Sequence, residues 1–324
     1  MPLIKCSLVA ALLVSFALPA APALAQRYPS RPIRLVVPFA PGGGTDVVAR
    51  ALSQELAESL QQTLVVDNRG GGGGSIGTEI VVRAAPDGYT LLLVTSSYGT
   101  NAAVYKLGFD PLADVTPISM VGESGYVVAL HPAVPIASVK ELIAYAKANP
   151  DKLNYGSSGS GGTTHLAPAL FGLMTGTKMT HVPYRGGGPA IVDLLAGHIQ
   201  LMFSPMPLVV PHMKTGRVRG IAITTLKRSS VLPDVPTVAE SGVPGYEAVL
   251  WFGVLGPKQL PDNVVSRLSA ELANALHAPE LKKHMVSLGL EMPDTTPEYF
   301  RRVIERDIAK WKKVVAMGNI KPGN

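Results

Sequence analysis

The chain has 324 residues, 47% of them hydrophobic, which is enough length for two domains that each bury a core. Its net charge of +6 is spread along the chain without a basic tract, and aromatic residues make up only 6%, which argues against nucleic acid as a partner. The single cysteine, Cys6, excludes a disulfide framework and leaves no thiolate metal site or cysteine nucleophile downstream of it.

The first residues carry the marks of a secretory signal. Lys5 supplies a short positive region, Leu8–Leu18 is an apolar stretch too short to span a bilayer, and Ala23-Leu24-Ala25 is an A-x-A cleavage site. The expectation is a cut after Ala25, with Gln26 as the mature N-terminus. No later apolar run reaches membrane-spanning length, so the mature protein reads as soluble.

Leu35–Arg50 (LVVPFAPGGGTDVVAR) reads as a strand, a glycine-rich turn and a helix start. Pro38 and Pro41 stop the strand, Gly42, Gly43 and Gly44 allow a tight turn, and Thr45 is the expected N-cap. A strand feeding through glycines into a helix N-terminus leaves backbone N–H groups aimed into one space, which favours an anion. The helix continues over Asp46–Gln61 with Val48, Leu52, Leu56 and Leu60 on one face. Thr63–Asp67 is the next strand. Gly72, Gly74 and Gly77 form a G-x-G-x-x-G, but 91–99 lacks the ribose-binding acid, so this run reads as a loop before helix Ser75–Ala85. Tyr89–Val94 is a third buried strand, ending in Thr95, Ser96 and Ser97. The β–α–β alternation predicts a parallel sheet with helices on its faces, and ligands in such sheets bind beyond the carboxyl ends of the strands.

Ile118–Leu130 reads as one long extended segment whose Gly122 and Gly125 let it pass between domains. Ser138–Glu141 is a capping box opening helix Val139–Ala148. Lys152–Phe171 then repeats the opening design: a strand, a loop offering Ser157, Ser158, Ser160, Thr163 and Thr164 hydroxyls, and a helix from about Thr163. His181–Gly188 forms a third such turn before helix Ala190–Ala196, with Pro189 at its first position. Ile199–Phe203, followed by Ser204-Pro205, and Arg219–Thr224 are strands. Residues 231–245 form a proline-rich loop, and Ala248–Gly256 is a second crossing strand. Three helices end the chain: one opening at Pro261-Asp262, one over Glu280–Leu288, and one opening at Thr295–Glu298 that uses Phe300, Val303, Ile304, Ile308 and Trp311. Two α/β lobes, two crossings and paired cradles describe a hinged clamshell that closes on a solute.

Val36–Arg50, Val66–Gly77 with Ala84–Leu93, Leu153–Leu166, His181–Leu195 and Trp251–Pro257 together resemble the Bug family, the TctC-type solute receptors of tripartite tricarboxylate transporters. The likeness runs from about Tyr28 to the last helix. It implies a type 2 periplasmic-binding-protein (Venus flytrap) fold, with residues 1–25 as signal, 26–123 plus 249–324 as the first lobe and 124–248 as the second. It also implies a periplasmic location and capture of a small organic mono- or dicarboxylate for an inner-membrane transporter. The implied protein is a monomer with no enzymatic activity, cofactor or metal. Carried over, Phe39, Ala40, Gly42, Gly43 and Asp46 form one cradle and Ser157, Ser158, Gly159, Thr163 and His165 the other. Ser96, Tyr184, Arg185 and Ser204 complete the pocket. Within that set, Asp46 reads as a residue that orders its loop, since its charge would repel an anion, and His165 reads as structural. Departures from the family pattern are Gly70 where proline is usual, Ser204 where aspartate is frequent, and Arg185 where lysine is frequent. Losing the acid at Ser204 points away from an ammonium-bearing ligand, and Arg185 could grip a second carboxylate in two places.

Two other functions use the same stretches. A ligand sensor partnered with a signalling protein would have the same pocket. A serine hydrolase would need G-x-S-x-G, and Gly156–Gly162 (GSSGSGG) fails it because Ser158 is followed by Ser160, not glycine, at the second position.

Overall fold

The computed structural model describes residues 28–292, 294–318 and 320; the expected signal and its cleavage point lie outside them. β1 (Ile33–Val37) leads through α1 (Gly44–Leu60), β2 (Leu64–Asn68), α2 (Ser75–Val82) and β3 (Thr90–Thr95) to α3 (Ser97–Val104). The long β4 (Val115–Leu130) then feeds α4 (Val139–Ala148), β5 (Asn154–Ser157), α5 (Thr163–Thr175), β6 (Thr180–Pro183), α6 (Gly187–Ala196), β7 (Leu201–Pro205), α7 (Met206–Lys214) and β8 (Arg219–Ile223). β9 (Val249–Pro257) runs back, and α8 (Asp262–His277), α9 (Pro279–Ser287) and α10 (Pro297–Gly318) follow.

Two parallel βαβ halves result. β1 pairs with β2 and β3, and β5 pairs with β6 and β7. β1 and β3 are apolar on both faces because helices cover both sides of the sheet. The halves join through two antiparallel strands. β4 pairs with β9 from Val115↔Pro257 to Gly125↔Val249, then changes partners to β7 and β8 from Tyr126 onward. Among the described residues the sheet order is β2-β1-β3-β9-β4-β7-β5-β6, with β8 on β4. The expected alternation and both crossings are present. The turns after β1, β3, β5, β6 and β7 all open towards the seam between the halves, which is what positions the site.

Several local expectations change. Ser97–Val104 is a helix where the sequence suggests a hydroxyl-rich loop; it packs on α10, and Gly99 leaves room for Asp307 against it. α7 has no counterpart among the expected elements, since Pro207 and Pro211 obscure it. Pro207 sits in the first turn, where its missing N–H has no partner to lose. α6 begins at Gly187, so Pro189 is its third residue and not its first. The N-cap of α1 is Gly43, not Thr45. The capping box of α4 forms as expected: the Glu141 N–H donates to Ser138 Oγ at 3.2 Å.

The last helix binds the first half together. α10 buries Phe300, Val303, Ile304, Ile308, Trp311 and Val314 on one face. The Phe300 ring lies directly on Gly253 of β9, where any Cβ would overlap it. Beside it, Trp251 and Trp311 donate their indole N–H groups to the two oxygens of Asp307 at 3.2 and 3.0 Å. Burial pushes the Asp307 carboxyl up to about 7, against the opposing pull of those two donors and of Lys310.

Candidate ligand-binding site

Five helices direct their N-termini at one small cavity. α1 reaches it through Gly44 and Thr45, α3 through Ser97, α5 through Thr164, α6 through Gly187, and α7 through Pro205, its N-cap residue. None of the five has its N-cap side chain bonded to its own first turn. Side chains outside the N-cap positions hold the first N–H of two of them, Thr95 Oγ1 accepting from Ser97 at 3.3 Å and Ser97 Oγ from Thr163 at 3.2 Å. Each helix still brings the positive end of its dipole, roughly half an elementary charge, to the cavity. The cavity holds about 20 Å³. The hydroxyl-bearing residues Thr45, Thr95, Ser97, Tyr126, Ser158 and Thr164 are among those that line it, and Phe39, Met202, Leu250 and Phe252 form its apolar wall. No charged side chain is among its lining residues. Such a chamber favours an anion through backbone N–H and hydroxyl donors instead of a cation.

The first turn is held from behind by Asp46. Its Oδ2 accepts from the Gly42 N–H at 3.0 Å and from Arg50 Nε at 2.9 Å. Its Oδ1 accepts from Asn68 Nδ2 at 3.0 Å, and that amide also donates to the Phe39 carbonyl at 3.1 Å. Burial alone would raise the carboxyl's pKa, but the hydrogen bonds from Arg50, Gly42 and Asn68 outweigh it and hold the group below the usual range. Asp46 thus shapes the turn and does not line the cavity.

The second turn, after β5, is braced by a ring stack. Ser157 Oγ accepts from the Gly159 N–H at 3.1 Å and lies 2.6 Å from His181 Nε2. The Gly161 N–H donates to His165 Nδ1 at 3.2 Å. The two imidazoles stack at 3.9 Å, and Tyr155 stacks on His181 at 5.1 Å. Ser158 is tied to Thr164 instead: its N–H donates to Thr164 Oγ1 at 2.9 Å, and the two hydroxyls are 2.8 Å apart. Ser157 and His165 therefore sit behind the turn, while Ser158 faces the cavity. The serine beside a histidine is Ser157, which is fully buried and already engaged, so the pair does not face the cavity.

The remaining sequence-derived residues divide. Ser96 and Thr163 bridge the halves just behind the lining: the Thr163 hydroxyl donates to Ser96 Oγ at 3.1 Å, and Ser96 Oγ is 2.7 Å from the Tyr126 hydroxyl. Phe39 and Gly43 line the cavity, and Ala40 and Gly42 lie in the turn beside them. Tyr184 points elsewhere, its hydroxyl donating to Asp193 Oδ2 at 2.6 Å. The Arg185 side chain is exposed, and only its carbonyl takes part, accepting from the Ala40 N–H at 3.1 Å. Ser204 is buried with no hydrogen-bond partner for its Oγ among the described residues, and it too is absent from the lining. Thr45, expected only as an N-cap, and Gly187 also line the cavity without having been expected in the site, as does the apolar wall from β7 and β9.

A larger cavity of about 780 Å³ lies on the outer side of α5, between Tyr155, Lys178 and Ile320. Size does not make it the site: it lies away from the converging helix N-termini, and the ring stack separates it from the turn.

The family described as the tripartite tricarboxylate transporter family receptor matches residues 48–320. The chain is 39% identical over 299 residues to Protein BugT of Bordetella pertussis, covering 91% of this chain and 92% of that protein. The structure of R. palustris Rpa4515 with adipate is 37% identical and superposes with a TM-score of 0.88, covering 91% of this chain and 99% of the other. MatC (Rpa3494) from Rhodopseudomonas palustris with bound malate is 31% identical, with a TM-score of 0.86 over 89% of this chain and 100% of the other.

Proposed function

The chain belongs to the receptor family of tripartite tricarboxylate transporters, and on that premise we propose that it captures a small carboxylate in the cavity where its five helix N-termini meet. The convergence of those N-termini, with no cationic side chain in the lining, is the observation that carries the reading. A carboxylate fits such a site because it accepts several N–H and O–H donors at once, and its charge suits the summed dipoles. That Rpa4515 holds adipate and MatC holds malate supports the ligand class. The apolar wall of Phe39, Met202, Leu250 and Phe252 suits a hydrocarbon segment attached to the carboxylate.

At about 20 Å³ the chamber has room for about one water. A ligand of adipate's size enters when the halves part, with 26–123 and 249–324 moving as one lobe and 124–248 as the other about β4 and β9. We read the protein as exported to the periplasm after cleavage behind Ala25, monomeric, and delivering its ligand to the membrane subunits of a tripartite transporter. The experiment is calorimetric titration of the mature protein with mono- and dicarboxylates, adipate and malate included, beside their amides. Carboxylates should bind and their amides should not. Equal binding of acid and amide, or turnover of an ester, would overturn the reading.

A further inference from the structure

At both lips of the cleft the two halves touch backbone to backbone. On one lip the Ala40 N–H reaches the Arg185 carbonyl at 3.1 Å. A Cβ on Gly186 would lie 2.8 Å from the Ala40 nitrogen, and one on Gly188 would overlap the Pro41 carbonyl oxygen and crowd the Gly42 and Gly43 backbone. On the other lip a Cβ on Gly73 would lie 2.5 Å from the Ser160 carbonyl oxygen, and one on Gly159 would lie 2.9 Å from the Gly73 Cα. Cβ atoms essentially never come within 3.0 Å of a neighbour, so none of these positions accepts a side chain while the lips meet. Buried Asn101 fixes the Gly73 turn by donating Nδ2 to its carbonyl at 2.9 Å. Its Oδ1, without a hydrogen-bond partner among the described residues, faces the points where a Cβ on Gly73 or Gly161 would sit, 3.0 Å from each.

We propose that Gly73, Gly159, Gly186 and Gly188 form a steric latch that sets how far the halves close. The absence of side chains at these positions lets both lips meet, and meeting brings the helix N-termini of both halves onto one anion. A helix dipole acts only within about its first turn, so a cleft held ajar loses the donors of one half. The latch itself is a property of the two lips; its effect on affinity rests on the carboxylate reading above. Gly188 gives the cleanest perturbation. It lies in the first turn of α6 without a left-handed φ, so alanine fits the helix and only the facing lip opposes it. Gly73 has φ +62°, so its alanine variant needs a strain control; Gly216, at φ +71° with nothing within 4 Å, provides one.

The test places spin labels on cysteines at Val65 and Val192, exposed positions on opposite halves, in the mature protein, whose sequence after Ala25 has no cysteine. Distances are measured with and without adipate or malate. The wild type should show a short-distance population that the ligand enlarges. Gly188→Ala and Gly73→Ala should lose it, while Gly216→Ala keeps it. Affinity for the same probe should fall ~10-fold or more in the two latch variants, following the fraction of molecules still able to close. The ligand-free melting temperature of Gly188→Ala should not fall below the wild type's, since alanine suits the helix. A Gly188→Ala protein that reaches the wild-type short distance overturns the latch, as does a wild type that never shows that distance. If neither acid binds the wild type but Gly188→Ala still loses the short distance, the latch stands and the ligand reading falls.

Discussion

Asp46→Asn tests whether the first cradle is built before the ligand arrives. The side chain keeps its size but exchanges an acceptor oxygen for a donor amide. In the native turn three groups donate to the carboxylate: the Gly42 N–H, the Asn68 amide and Arg50 Nε. Arg50 is mostly solvent-exposed, so its ion pair is worth under ~1 kcal/mol. The other two are part-buried, charge-assisted bonds, worth ~1.5–3 kcal/mol each, and asparagine can keep at most one without turning a donor onto a donor. The expected loss is about 2–4 kcal/mol at neutral pH. The pH dependence has a definite sign. Because the Asp46 pKa is lowered in the fold, its contribution is present above the unfolded carboxylate value near 3.8 and disappears as pH falls through the folded value. Urea unfolding of both proteins at neutral pH and in acid should show a gap that narrows in acid. Carboxylate affinity should fall as well, since Gly42 and Phe39 lose their tether. Unfolding midpoints that coincide at neutral pH, with unchanged affinity, would refute the reasoning.

Three further outcomes follow from the same contacts. Replacing Ser158 and Thr164 together by alanine should cost about 2–3 kcal/mol of carboxylate binding, read by calorimetry, while the circular dichroism spectrum stays native; unchanged affinity would take the second turn out of the site. Arg185→Ala should leave affinity within about twofold, because the side chain is exposed and only its carbonyl touches the facing lip; a large loss would restore the direct grip that the family resemblance implied. Asp307, protonated in the fold with a pKa of about 7, contributes stability that is complete below the unfolded value and gone above pH 7. The shift corresponds to roughly 4 kcal/mol at most. Unfolding free energies between pH 4 and 8 should therefore fall more steeply in the wild type than in Asp307→Asn, and parallel profiles would show that the carboxyl titrates normally.

Much of the architecture was legible because its signals are local. β1, its glycine turn and α1 are adjacent in sequence, and the repeat of that design at β5 and α5 announced a second cradle. α10 was legible from Phe300, Val303, Ile304, Ile308 and Trp311 at helical spacing, all of which are buried. The hidden elements were those whose local preferences are weak. α3 is built from Ser, Gly, Thr and Asn and is held in place by its packing on α10. α7 carries two prolines.

The sequence by itself determined where strands hand over to helices, because backbone sterics, apolar periodicity and helix dipoles are set by neighbours a few residues away. That fixed the export signal as an expectation, the α/β class, and glycine turns suited to an anion. Which side chains enter the cavity depended on partners far along the chain. Gly42, Arg50 and Asn68 claim Asp46, His181 claims Ser157, and Asp193 claims Tyr184. The Arg185 side chain is left in solvent while its carbonyl closes on Ala40. Only the tertiary structure could decide these, because a side chain's direction at a turn is chosen by whichever donor, acceptor or opposing backbone the folded chain brings within reach.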